Sequence, residues 1–348
     1  MTHDRSLDRN EDCTPGDHTH EPEARVSDYL RLARFDHATK HVFILPGIAL
    51  ALLLRGDQGE PLFWNILAGM LAAVCAASAN YVINEWLDRD FDRHHPQKAE
   101  RVAVQVALDV RRVCGLYALL ALAAVALGVI VNGGFAVWIL CFLAAALVYN
   151  VPPLRSKDRA FLDVLSESLN NPLRLMLGWA MVDPATLPPV SIILCFWFGG
   201  AFLMNTKRLA EFRDITAEFG QARLVLYRKS FAHYSETRLS VANLTYALLC
   251  VMCLAVFVAK YRIEYVLLFP LVVFLFARYS ALSLRAGSLA RTPEKLFHDR
   301  WLMGAAAAIA FVFGLTTFID IPTLDLLAEQ HFIDLRGFVT FPDAGSGQ

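Results

Sequence analysis

Eight apolar runs of roughly bilayer-spanning length recur along the chain, over residues 62–83, 113–131, 135–149, 161–182, 190–204, 239–259, 265–284 and 301–319. In hydrocarbon every backbone N–H and C=O must find its partner inside the chain, so runs of this kind fold as helices. A ninth run, 42–54, is short for a span, and the segment before it can extend the helix into the headgroup region. The fold class that follows is an all-α integral membrane protein of about nine transmembrane helices. A hydrophobic fraction of 56% and a mean hydropathy of +0.43 exclude an ordinary soluble domain.

The positive charges fix an orientation. With the N-terminus on the cytoplasmic side, 27 of the 32 Lys and Arg residues fall in cytoplasmic segments and only Arg55, Lys260, Arg262 and Arg336 fall on the other side, with Arg174 inside a span. The outer connections are short turns. The cytoplasmic connections after the second and sixth candidate spans are long and hold most of the polar chemistry. Residues 1–27 read as a disordered polar tail, 28–319 as the transmembrane catalytic domain, and 320–348 as a tail with an amphipathic pattern. Cys250 and Cys253 form a CxxC within an apolar span, with the pattern of small packing residues. Nothing in the charge pattern suggests nucleic-acid binding, and nothing specifies an oligomeric state.

The stretch SANYVINEWLDRDFDRHHPQKAERV, residues 78 to 102, carries the chemistry. Asn80, Asn84, Asp88 and Asp92 are four apart and form one slowly winding helical stripe, with Glu85 beside them. Carboxylates about 6 Å apart repel by roughly 3 kcal/mol at an effective dielectric near 20. A cation between them relieves that cost. Mg2+ suits the place, because it takes a few carboxylate oxygens and completes its octahedron with water and phosphate oxygens. The alternative is a solvated loop whose acids pair with Arg89, Arg93, Lys98 and Arg101.

Asn84-Glu85-x-x-Asp88-x-x-x-Asp92, followed by His95-Pro96-x-Lys98 and Arg101, resembles the first aspartate-rich motif of the UbiA superfamily of intramembrane prenyltransferases. Glu85 stands where that family usually has Asp, and Val102 where Pro is common. The resemblance implies a helical bundle with a cytoplasm-facing active-site cavity. It also implies Asn84, Glu85, Asp88 and Asp92 as Mg2+ ligands, with Lys98 and Arg101 near the substrate.

Three further segments add candidates. Asp163, Glu167, Asn170 and Arg174 fall on one face of the fifth candidate span, 161–182, and Arg174 reads as a partner for a carboxylate or phosphate, or as half of a structural ion pair. YNVPPLRSKDRAFLD, with Tyr149 and Asp163, resembles the family's Tyr-Ser-x-x-Leu-Lys loop. After the sixth candidate span, 190–204, where prenyl-transferring members usually hold a second aspartate-rich motif, this chain has Lys207, Arg208 and Glu211, then Arg228, Lys229 and Tyr234. That pattern, with Lys40 in DHATKHVFILPG, is similar to the decaprenyl-phosphate phosphoribosyltransferase branch.

The branch resemblance implies Mg2+-dependent transfer of a phosphoribosyl group from phosphoribosyl pyrophosphate to a polyprenyl phosphate, at a bacterial inner membrane. Its partners would be a lipid-linked substrate and a pyrophosphate-bearing donor. Asp88, Asp92, Lys207 and Arg208 would be catalytic, and Lys40, Arg174 and Arg228 would orient phosphates. One alternative is prenyl transfer to an aromatic or quinone precursor. Another is a transporter, against which the charges clustered at one face argue.

Overall fold

The computed structural model describes residues 23–56, 59, 61–95, 98–283 and 299–324, with the side chains of 36–40 excluded. Residues 1–22, the Lys40 side chain and the amphipathic pattern beyond residue 324 therefore lie outside the described residues. In chain order the α-helices are α1 (Val26–Leu32), α2 (Leu45–Arg55), α3 (Leu62–Asp92), α4 (Val102–Gln105), α5 (Val110–Val131), α6 (Gly133–Asn150), α7 (Leu162–Ser168), α8 (Asn170–Ala180), α9 (Val190–Phe219), α10 (Gln221–Tyr227), α11 (Glu236–Tyr261), α12 (Leu268–Ser283) and α13 (Arg300–Phe318). Val26 and Ser27, expected in the tail, are already helical.

Among the described residues, seven helices are long and apolar enough to cross a membrane: α3, α5, α6, α9, α11, α12 with its lead-in from Ile263, and α13. The other two candidate spans are assembled from shorter pieces. The 42–54 run is a 3-10 stretch (Phe35–Ile44) that passes into α2, with Pro46 in the first turn. Proline is tolerated there because the first-turn N–H has no helical acceptor to lose. The 161–182 run, expected as one continuous face, is interrupted at Leu169 between α7 and α8. Pro172 has no N–H for the Ser168 carbonyl and its ring crowds that turn, so the sequence places the break.

Side chains and one glycine set the helix ends. Asp109, Asn132, Ser235 and Asp299 cap α5, α6, α11 and α13 by accepting from backbone N–H groups two or three residues on. Gly220 ends α9 at φ +78°, a conformation costly for a residue with a Cβ, and turns the chain into the basic loop.

The main core cluster is built largely from α2, α3, α5, α6, α8 and α11. Large apolar side chains such as Leu119, Leu122 and Ile130 on α5, Leu244 and Leu248 on α11 and Phe311 on α13 point outward, as lipid-facing residues must. α2 and α8 approach each other closely. A Cβ built on Gly178 would stand 2.1 Å from the Ile44 carbonyl oxygen, and one on Gly47 would stand 2.1 Å from that of Leu175. Small residues let two backbones touch in this way. Because backbone atoms cannot step aside as a side-chain tip can, Gly178→Ala is expected to cost about 2 kcal/mol. A lower thermal unfolding midpoint in detergent would register the loss, and an unchanged midpoint would contradict this packing.

Candidate active site

α3 is continuous from Leu62 to Asp92, so its polar stripe has the expected helical spacing. Asp88 is held by two cations from the loop after α6: Arg155 at 2.9 Å and Lys157 at 2.5 Å. Asp92 is buried, with Arg101 at 2.7 Å and Lys98 at 3.8 Å. Arg89, expected among the possible partners, instead lies 3.7 Å from Asp90. Asn84 donates to the Asp88 carboxylate and to Asn150, which in turn accepts from Lys157. Burial pushes Lys98 and Lys157 down to about 8, with Asp92 and Asp88 respectively opposing. His95 is lowered to about 3 by burial and by Lys98, so it is neutral, and its Nδ1 accepts the Lys98 backbone N–H.

Glu85 departs from the metal set that the family resemblance implies. One position along the helix is a turn of about 100°, and Glu85 is buried on another side of α3, where it accepts the Ala103 N–H of α4. Arg155 and Lys157, which reasoning from the sequence missed, take its place in the electrostatics of the site. Their signal was available: two basic residues follow directly on a span that ends on the same side as the aspartates.

The second cluster joins α7, α9 and the loop after α10. Arg208 is 2% exposed and is bound by three carboxylates: Glu167 at 2.6 Å, Glu211 at 2.9 Å and Asp163 at 3.5 Å. Asp163 is fully buried and accepts from Ser230 and Tyr234, with Arg228 at 3.3 Å. Burial and the Asp163 charge raise the Tyr234 phenol, which stays protonated and donates. Arg228 donates to the Tyr149 hydroxyl, and that hydroxyl donates to Glu167. Arg208, expected as catalytic, is bound by carboxylates, and Asp163, Glu211 and Tyr234, expected at the substrate, are buried in the same network and absent from the lining of the cavity between the two clusters. Lys229 is 61% exposed and pairs with Asp158, away from the cavity.

Between the clusters lies a cavity of about 440 Å3. Asn84, Tyr149, Glu167 and Lys207 form its polar end, whereas Phe142, Phe202, Phe276 and Leu302 give it apolar walls. Arg174 also lines it, despite the break between α7 and α8.

The oxygen donors fit a hard cation with few protein ligands. Among the described residues no three His, Cys, Asp or Glu side chains gather as a metal group. Asp88 and Asp92, with the Asn84 amide, would hold Mg2+, and most of its octahedron would come from a bound diphosphate and water. Arg155 is shared with Asp158 at 3.2 Å, so four cations stand against three carboxylates, and this slight excess favours a metal paired with a polyanion over a bare metal ion.

The family model described as the UbiA prenyltransferase family matches residues 43–303. A 4-hydroxybenzoate octaprenyltransferase of Paracidovorax citrulli is 33% identical over 129 residues, 36% of this chain and 42% of that protein. A lycopene elongase/hydratase of Haloarcula japonica is 28% identical over 173 residues, 50% of this chain and 53% of that protein. The chain thus spans about half or less of the length of these relatives. A solved structure, a UbiA homolog from Archaeoglobus fulgidus bound to GPP and Mg2+, has the same fold, with a TM-score of 0.63 at 20% identity over 83% of this chain and 99% of that one.

Removing Arg208 would leave three buried or half-buried carboxylates facing one another. Arg208→Gln is therefore expected to destabilise the protein by about 3–5 kcal/mol, whereas Lys207→Gln on the cavity wall is expected to leave the unfolding midpoint nearly unchanged. Equal midpoints for the two variants would contradict this structural role of Arg208.

Proposed function

The chain belongs to the UbiA prenyltransferase family, and on that premise we propose that it is a Mg2+-dependent intramembrane transferase. In this reading it moves a polyprenyl group from its diphosphate to an aromatic or quinone-precursor acceptor. The observation that carries it is the two-natured cavity, polar where Asn84, Tyr149, Glu167 and Lys207 line it and apolar along its walls, with Asn84 bonded to Asp88 of the cationic cluster next to that polar end. That is the shape of a lipid diphosphate, and the names of the relatives point the same way.

Breaking the bond between C1 and oxygen sends negative charge onto the diphosphate and leaves positive charge at C1. Lys157, Arg155, Lys98 and Arg101 are already fixed around the place where the negative charge develops, so little reorganisation is needed in the transition state. Bound Mg2+ would supply Lewis-acid stabilisation of the same leaving group. The rings of Phe142, Phe202 and Phe276 line the walls, and aromatic faces favour a nearby cation. They also keep water from intercepting the allylic centre.

A second reading, phosphoribosyl transfer to a polyprenyl phosphate, rests on a specific observation. The C-terminal half of α9 carries Lys207, Arg208 and Glu211 where the family resemblance leads one to expect a second pair of aspartates. The relatives named for octaprenyl transfer weigh toward the first reading.

Purified protein with Mg2+ would be offered geranyl diphosphate with 4-hydroxybenzoate and, in parallel, labelled phosphoribosyl pyrophosphate with farnesyl phosphate, each with an EDTA control. EDTA-sensitive prenylation of the ring is the expected result, and Asp88→Asn should lower it about a thousandfold while the protein stays folded. Label moving only from phosphoribosyl pyrophosphate would replace the first reading by the second. No product from folded protein in either arm would overturn both.

A further inference from the structure

Arg174 stands apart from every other buried cation of the site. It is 8% exposed and sits on the apolar helix α8, and its Nε has no hydrogen-bond partner. The Nε atoms of Arg208 and Arg228 also lack one, but those two guanidiniums have carboxylates beside them. No Asp or Glu among the described residues forms an ion pair with it, in contrast to Arg208 with its three carboxylates. Its guanidinium lies 5.3 Å from the Phe142 ring centre, with Tyr81 close by. A cation–π contact is worth about 2 kcal/mol when desolvated, less than the several kcal/mol that burying an unpaired charge costs. A cation kept at this depth without a protein anion is a site for a ligand anion.

The depth separates it from the diphosphate end. Asn150 on α6 meets Asn84 and Lys157, the partners of Asp88, while Phe142 lies eight residues earlier on the same helix. Eight residues of helix correspond to about 12 Å. One diphosphate cannot reach from the aspartates to Arg174, so the anion that completes Arg174 belongs to another group in the same cavity. Other polar atoms wait beside it: the Asn80 Oδ1 is buried without a partner, and the Asn170 and Asn171 amides line the wall.

We infer that Arg174 forms a second anion subsite, which takes an oxyanion carried by the acceptor and thereby selects acidic acceptors over neutral ones. The inference rests on the transferase reading above. The guanidinium fork accepts a carboxylate or a phosphate in the same two-point geometry. An aromatic acid would supply the first and a lipid phosphate the second. With the acid anchored at Arg174 and the diphosphate at the cationic mouth, the reacting carbons are held between the two.

The test is equilibrium binding to the full chain in lipid nanodiscs, with 4-hydroxybenzoate against its methyl ester and farnesyl phosphate against farnesol. Wild-type protein is expected to bind one of the acids at least about tenfold more tightly than its neutral counterpart. Arg174→Gln should remove that preference and leave the affinity for geranyl diphosphate with Mg2+ within about threefold. Arg174→Lys, which keeps the charge and loses the fork, should retain part of it, and it serves as the deciding variant if the glutamine protein does not fold. The acid that shows the preference names the source. No preference in the wild type, or a preference that survives Arg174→Gln, overturns the subsite. Acid binding at Arg174 without transfer in either activity assay would leave the subsite standing and fell the transferase reading, and transfer without acid preference would do the reverse.

Discussion

Charge that has left water must be compensated, and that constraint organises this molecule at the mouth of its bundle. Five carboxylates, Asp88, Asp92, Asp163, Glu167 and Glu211, are interleaved with basic side chains from α9 and three loops. The two clusters differ in balance. Around Arg208 three carboxylates face two guanidiniums, Arg208 and Arg228, and the result is a strut that ties α7 to α9. Around Asp88 and Asp92 the cations are in excess, and the result is a mouth prepared for an anion.

That difference separates holding the fold from doing chemistry. The strut fixes the loop after α10 and, through Arg228 and Tyr149, the rim of the cavity. The walls below it are apolar, lined by Phe142, Phe202, Phe276 and Leu302. Gly47 and Gly178 bring α2 against α8, the helix that carries Arg174. Among the described residues the cavity has a polar end with Glu167 and Lys207, apolar walls and the buried Arg174 in its side.

Much of this was legible in the sequence, and the parts that were not share a physical cause. The α3 stripe could be read because helical periodicity is local: residues four apart share a face whatever packs on them. The pairing of Arg208 with Glu211 is likewise an i, i+3 contact. What lies across the bundle is not local. Arg155 and Lys157 meet Asp88 only through the packing of α6 on α3, and the burial of Asp163 under Ser230 and Tyr234 depends on a loop 67 residues away. Glu85 was misplaced because a family pattern, and not the helix geometry, put it beside the metal. The break in the 161–182 run was present in the sequence as Pro172 and was outweighed by the length of the apolar run.

The central claim is that the aspartate mouth, with its excess of cations, accepts metal and diphosphate together. Calorimetric titration of Mg2+ into the purified protein, with and without saturating geranyl diphosphate, tests it most directly. The account predicts no saturable Mg2+ binding alone and binding at least about a hundredfold tighter with the diphosphate, a difference of roughly 2.7 kcal/mol. Tight binding of Mg2+ to the protein without any diphosphate would contradict it.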